Sequence, residues 1–99
     1  MKASIAIQIE PNKQDDYEAV RIVDEVIVYI RSTGLHYYVG PSETSIEGDD
    51  LHQLVEILEH CMEVAAKAGS EKISAYTKLV YKPNGAVLTI DEKVTKHHQ

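Results

Sequence analysis

The sequence has no tryptophan, no phenylalanine and a single cysteine, Cys61. One thiol excludes an intramolecular disulfide and a cysteine-rich zinc cluster. All six aromatic residues are tyrosines, so every ring carries a hydroxyl that needs water or a partner. The longest apolar run is far shorter than the ~20 residues that span a bilayer, and no apolar signal-peptide core follows the start. We therefore expect a cytoplasmic protein without membrane insertion.

Basic residues are also scarce, with 10 Lys and Arg against 16 Asp and Glu and a net charge of -6. This balance argues against the electrostatic attraction to phosphates on which nucleic-acid binding depends, and against binding to anionic lipid. The 99 residues predict one domain over residues 1–99, with one modest core. A ligand site in such a chain should be shallow or shared between subunits.

The order of elements follows from the hydrophobic periodicity. Residues 3–9 alternate as a strand, residues 36–39 and 43–47 read as a hairpin, and residues 72–81 alternate again. Helices are predicted from Asp15 to Gly34 and from Asp50 to Gly69, and a Thr89/Glu92 capping box predicts a short C-terminal helix. The resulting β-α-β-β-α-β order predicts an α+β, ferredoxin-like fold, with a four-stranded antiparallel sheet and both helices on one face.

Each long helix has one apolar stripe that should face the sheet. In the first helix the stripe comprises Val20, Val23, Ile27 and Ile30, and in the second it comprises Leu51, Leu54, Val55, Leu58, Met62 and Ala65. Cys61 adjoins the second stripe, and we expect a buried structural thiol there. The i, i+4, i+8 spacing of His52, Glu56 and His60 would suit a metal, but these residues lie opposite the stripe. We expect a solvated face and no metal site.

Strand alternation leaves a mixed polar face of the sheet without helices. Its residues are Ser4, Gln8, Glu43, Ser45, Glu47, Ser74, Tyr76 and Lys78. This face is uncovered in a monomer, and its semi-polar character suggests that another subunit covers it.

The segment from His36 to Asp50 is the most informative stretch for function. It contains two tyrosines, three hydroxyl residues and four carboxylates, with no lysine or arginine. The segment could simply be a polar hairpin whose hydroxyls satisfy the turn backbone. It could also form a small-ligand site, in which phenol rings stack on a flat heterocycle and a carboxylate accepts from an amino group. Such a site should prefer a neutral or cationic ligand to a phosphorylated one.

The same segment carries a family resemblance. Its Gly-Pro-Ser-x-Thr-x-Ile-Glu-Gly motif over residues 40–48, together with Thr-Ile-x-Glu-Lys-Val over residues 89–94, resembles the small thiamine-binding proteins of bacteria and archaea. The resemblance covers essentially the whole chain. It implies a ferredoxin-like, non-enzymatic protein that binds thiamine or its hydroxymethylpyrimidine moiety, needs no cofactor, and assembles as a dimer of dimers.

The resemblance assigns Ser42, Thr44 and Glu47 to the pyrimidine site, with Tyr37 or Tyr38 as a stacking ring. Strand alternation creates a conflict, because Ser42 and Thr44 share a face with Ile46, whereas Ser45 and Glu47 share the uncovered face. Geometry therefore favours Ser45 and Glu47, and resemblance favours Thr44.

Tyr76 also lies on the uncovered face, and we include it among the ligand-binding residues. We predict a thiamine- or hydroxymethylpyrimidine-binding homo-oligomer that serves thiamine uptake, salvage or homeostasis. The alternative is a regulatory or oligomerisation module with an effector-type ligand. A small enzyme using Glu47 has little support, because no second catalytic group stands at a fixed spacing from it.

Overall fold

The structure, a computed structural model, describes residues 1–98. Its elements are β1 (Ala3–Pro11), α1 (Asp16–Ser32), β2 (Tyr37–Val39), β3 (Thr44–Gly48), α2 (Leu51–Lys67), β4 (Ile73–Tyr81) and α3 (Ile90–Val94), with a 3-10 turn at Thr95–His97. The strands form one sheet in the order β2-β3-β1-β4, and every neighbouring pair is antiparallel. This arrangement confirms the ferredoxin-like α+β prediction.

Side-chain caps fix the starts of the helices. The Asp15 carboxylate accepts from the backbone N–H of Tyr17 at 2.9 Å and begins α1, and Asp50 likewise accepts from His52 at 3.0 Å and begins α2. The predicted Thr89/Glu92 capping box is present at α3. These caps supply partners for backbone donors that have none within the helix.

The core lies between the sheet and the two long helices. Its largest fully buried side chains are Ile5, Ile22, Ile30, Ile46, Leu54 and Cys61. Burial raises the pKa of the Cys61 thiol to about 12, so the reactive thiolate is scarce at neutral pH. The prediction of a buried structural thiol is confirmed.

The predicted core stripe of α1 is partly wrong. Val20 is 57% exposed, and Val23 and Ile27 are only half-buried. The sheet instead buries Ile22 and Val26 together with Ile30. The reason is that α1 carries two adjacent apolar stripes, and periodicity alone does not tell which of them faces the sheet. In α2 a similar shift exposes Val55 and buries Ile57.

Two hydrogen bonds fix the direction of the backbone groups along β1. Asn12 N–H donates to the Lys72 carbonyl at 3.1 Å, and Lys82 N–H donates to the Lys2 carbonyl at 2.8 Å. Backbone groups alternate between the two edges of a strand. The N–H and C=O groups of even-numbered residues of β1 therefore point toward β4, and those of odd-numbered residues point toward β3. By the same alternation, the N–H and C=O groups of the odd-numbered residues of β4 point away from β1, at the open edge of the sheet.

The face without long helices is more covered than the sequence suggested. The C-terminal segment, residues 87–98, packs on it beside β2 and β3, where Val87 and Ile90 are buried. Tyr38 Oη lies 3.0 Å from His98 Nε2, and His36 Nε2 lies 3.6 Å from Asp91 Oδ1. Strand alternation could not reveal this, because it says nothing about where a terminal helix docks.

Candidate ligand-binding cleft

A cleft of about 660 Å³ opens between α1, the second half of β1 and the turn that joins β2 to β3. Its volume falls within the range of roughly 300–1,000 Å³ that is usual for small-molecule sites. Its lining includes α1 on the helix side of the sheet and also Gln8, Glu10 and Ser74, which strand alternation places on the other face, but no residue of the C-terminal segment.

The cleft exists because β1 is longer than the strand beside it. On the β3 side, pairing of β1 stops at Ile7, opposite Thr44, and the chain before Thr44 bends away at Pro41 and Ser42. Gly40 closes this turn by donating its N–H to the Glu43 carbonyl at 2.8 Å. A Cβ on Gly40 would lie 2.9 Å from that same oxygen, so the tight turn requires glycine.

The second apolar stripe of α1 forms one wall of the cleft. Val20, Val23 and Ile27, which sequence periodicity assigned to the core, all line it. Ile7 and Ile9 of β1 and Val39 of β2 add further aliphatic surface. The cleft thus has apolar walls that could pack against a flat ring, although no aromatic side chain of the described residues 1–98 lines it.

Polar groups lie at the hairpin side and around the mouth. Thr44 is only 7% exposed, lines the cleft, and its hydroxyl makes no hydrogen bond to another residue within 1–98. Ser42 is exposed beside it. The charged lining residues are Glu10, Glu43 and Lys72, which give the rim a slight negative balance. Because no buried side-chain N or O atom of residues 1–98 lacks a hydrogen-bond partner, the Thr44 hydroxyl is accessible from the cleft, beside its aliphatic wall.

Glu47 lies outside the cleft, on the opposite face of the sheet. It is 5% exposed, and its Oε2 accepts from the backbone N–H of Ile90 at 2.9 Å. Ile90 is the first residue of α3, so this carboxylate caps the helix and attaches the C-terminal segment to the sheet.

The remaining predicted site residues are dispersed. Tyr38 and Ser45 are paired across β2 and β3, on the face that carries the C-terminal segment. Tyr37 lies on the helix side, where its hydroxyl accepts from Arg31 Nε at 3.3 Å. Tyr76 is 59% exposed on the outer strand β4. The structure thus brings Ser42 and Thr44 together at the cleft, and the ligand roles of all seven residues stay predictions.

Sequence reasoning missed the contributions of α1 and β1 to the cleft. One sequence signal could have found α1, because the first helix has more apolar residues than one core-facing stripe requires. The extension of β1 to Pro11, beyond the start of β3 at Thr44, is visible only in the structure.

The surface of α2 carries the other polar cluster. His52 Nε2 lies 2.6 Å from Glu56 Oε1, and His60 Nδ1 lies 3.0 Å from the Tyr29 hydroxyl. Candidate ligand atoms of Glu59, His60 and Glu63 lie within 4.8 Å of one another, but all three residues are exposed. The predicted solvated face is confirmed.

Comparison with known proteins decides the family. The model of a family described as thiamine-binding protein matches residues 5–98. The chain belongs to the thiamine-binding protein family. It is 37% identical over 94 residues to a UPF0045 protein of Clostridium perfringens, covering 95% of each chain.

Solved structures agree with this assignment. A crystal structure of a Streptococcus pneumoniae protein has a TM-score of 0.80 and 35% identity, covering 96% of this chain and 99% of that one. A Thermotoga maritima protein, named as a candidate thiamine biosynthesis/salvage protein, has a TM-score of 0.82 and 27% identity, covering 98% and 99%. Within residues 1–98 of this family member, no helix has the length and apolar character needed to cross a bilayer.

Proposed function

We propose that the protein binds thiamine or its hydroxymethylpyrimidine moiety in the cleft beside α1, without transforming the ligand chemically. The observation that carries this proposal is Thr44, a largely buried residue that lines the cleft and whose hydroxyl is open to a ligand, since no buried side-chain oxygen of residues 1–98 lacks a hydrogen-bond partner. A ligand donor or acceptor would satisfy it, while the aliphatic wall of α1 would cover one face of the ring. Family membership supports thiamine as the source of that ring. The role would be thiamine uptake, salvage or homeostasis in the cytoplasm.

The charges around the cleft favour the unphosphorylated forms. Glu10 and Glu43 contribute two carboxylates, against one ammonium group from Lys72. A thiazolium cation is attracted to this rim, whereas a diphosphate meets like charges and a single cationic side chain, Lys72. We therefore expect hydroxymethylpyrimidine and thiamine to bind more tightly than thiamine diphosphate.

Titration calorimetry with these three compounds tests the proposal. Two serines provide a matched pair, because Ser42 lines the cleft and Ser45 lies on the other face. We expect Ser42→Ala to weaken binding about three- to tenfold and Ser45→Ala to leave it unchanged, since one hydrogen bond contributes roughly 1 kcal/mol. No heat with any compound would refute the function. A preference for the diphosphate would refute the charge argument.

We further propose that the protein works as a homo-oligomer, in which β4 pairs with β4 of a second copy. This strand is nine residues long, lies at the edge of the sheet and has no proline, although natural edge strands are usually short or interrupted. A two-fold axis at Thr77 would pair the outward backbone groups of the odd-numbered residues. It would also place each exposed Tyr76 opposite Lys78 of the second copy, a favourable cation–aromatic pair.

Substitution at Thr77 tests this interface. Its N–H points away from β1, so Thr77→Pro removes a donor from the edge while leaving the ladder within the subunit intact. We expect Thr77→Pro to lower the oligomeric state in sedimentation experiments, and Thr77→Val to keep it. An unchanged assembly in Thr77→Pro would place the interface elsewhere. A proline variant that is monomeric and retains the ligand would separate assembly from binding and argue against the oligomerisation-module alternative.

A further inference from the structure

One rung of the β-ladder is missing where β1 borders the cleft. On the β4 side, β1 is paired along its whole length, from Ala3 opposite Tyr81 to Pro11 opposite Ile73. On the β3 side, the last pair is Ile7 with Thr44. Two residues further along β1 stands Ile9, which has no strand residue beside it on that edge.

The backbone of Ile9 points toward the missing rung. Odd-numbered residues of β1 direct their N–H and C=O groups toward β3, as the bonds of Asn12 and Lys2 on the β4 side establish. The antiparallel register would place Ser42 opposite Ile9, but Ser42 lies in the bend that carries the hairpin away. One donor and one acceptor of the same residue therefore face the cleft, which Ile9 lines.

We infer that the backbone N–H and C=O of Ile9 bind the edge of an aminopyrimidine that carries the amino group. The Ile9 N–H donates to a ring nitrogen, and the Ile9 carbonyl accepts from the adjacent exocyclic amino group. The ligand thus replaces the absent rung, since an antiparallel partner residue would also offer one acceptor and one donor there. This inference rests on the proposed function and specifies how the same cleft selects its ligand.

The surroundings suit a ring held in this way. A ring bonded edge-on to β1 lies roughly in the plane of the sheet, so that one of its faces meets the helix layer. Val23 and Ile27 of α1 line that side of the cleft and offer aliphatic contact. A backbone donor and acceptor covered by an apolar ring would cost free energy if they were left unpaired, so the paired heterocycle is favoured over an apolar ligand of the same size.

A ligand analogue in which the donor and acceptor positions on this edge are exchanged tests the inference. Replacing the amino group of hydroxymethylpyrimidine by an oxo group puts an acceptor where Ile9 offers its carbonyl, and a ring N–H where Ile9 offers its own N–H. Both bonds are then lost and like groups face each other. We expect the oxo analogue to bind at least thirtyfold more weakly than hydroxymethylpyrimidine in calorimetry.

Amide hydrogen exchange of the ¹⁵N-labelled full chain locates the contact. Saturating hydroxymethylpyrimidine should slow exchange of the Ile9 amide at least tenfold and move its proton resonance downfield. The Ile5 amide, which faces the same edge of β1 but is paired with Ile46 and lies outside the cleft lining, is the internal control and should change little. If hydroxymethylpyrimidine binds while Ile9 exchange is unaltered, or if the oxo analogue binds equally well, this inference is wrong and the proposed function stands. If hydroxymethylpyrimidine does not bind at all, both are wrong.

Discussion

Thr44 and Glu47 stand three residues apart on the same strand, and both are polar and buried, yet the fold uses them in opposite ways. Glu47 lies under the C-terminal segment and accepts from the Ile90 N–H at 2.9 Å. Thr44 lies at the other end of β3, on the other face, where it lines the cleft without a side-chain partner among residues 1–98. The C-terminal segment therefore covers β3 at its Glu47 end, whereas the Thr44 end of β3 faces the cleft.

The difference shows how to separate a structural polar residue from a ligand-binding one. Burying a polar group without a hydrogen bond is unfavourable, so a native structure supplies a partner or keeps the group accessible to water or a ligand. Glu47 has its partner within the chain, and its removal should affect folding. Thr44 can receive its partner from outside, and its removal should affect binding.

The largest expected effect is that of Glu47→Ala on stability. The substitution leaves the buried Ile90 N–H without its acceptor and weakens the attachment of α3, so we expect the free energy of unfolding to fall by about 1–3 kcal/mol. Urea denaturation measures this loss. Affinity for hydroxymethylpyrimidine should change less than twofold, because Glu47 lies on the face opposite the cleft.

Glu43 is the matched control for that experiment. It belongs to the same hairpin and carries the same charge, but it is exposed, so Glu43→Ala should alter stability by less than about 0.5 kcal/mol. If Glu47→Ala instead abolishes binding and leaves the unfolding curve unchanged, the sequence-based assignment of Glu47 to the ligand is right, and Glu47 does not attach the C-terminal segment.

For Thr44→Val we expect a smaller effect, on ligand affinity and not on stability. Valine keeps the shape of threonine but removes the hydroxyl that would meet the ligand. Affinity should fall about five- to tenfold, which corresponds to roughly 1 kcal/mol for one net hydrogen bond. Stability should stay within about 0.5 kcal/mol, since no bond inside the chain is lost. Calorimetry and urea denaturation of the same sample check both parts, and a strongly destabilised variant with normal affinity would contradict them.

The fold was predictable from sequence because each element has a local signal. Alternating isoleucines in β1, the Thr89/Glu92 capping box and the turn glycines act over a few residues, and the β-α-β-β-α-β order then leaves few topologies. The cleft was less predictable. It depends on how far β1 extends beyond its pairing with β3 and on which stripe of α1 faces the sheet. Both are decided by contacts between distant segments. Glu47 illustrates the same limit, because alternation gave its face correctly but could not show that α3 covers that face.

The smallest expected effect is that of low pH on the stability of α3, which packs at the Glu47 end of β3. The Thr89 backbone N–H donates to Glu92 Oε1 at 2.9 Å, and this bond, followed by the Thr89 side chain, lowers the pKa of Glu92 below its ordinary value. A lowered pKa in the folded state means that the contribution of Glu92 to stability is fully present above its ordinary pKa and is lost as the pH falls through the lowered one. The difference in urea midpoint between the wild type and Glu92→Gln should therefore be largest near neutral pH and should shrink on acidification. Because Glu92 is exposed, solvent screening keeps the difference small.

The backbone resonances of α3 should show the change while the Thr44 amide does not, since α3 packs on the Glu47 end alone. A midpoint difference that is independent of pH would mean that the carboxylate does not stabilise this helix, and that Glu47 holds the C-terminal segment without help from the capping box.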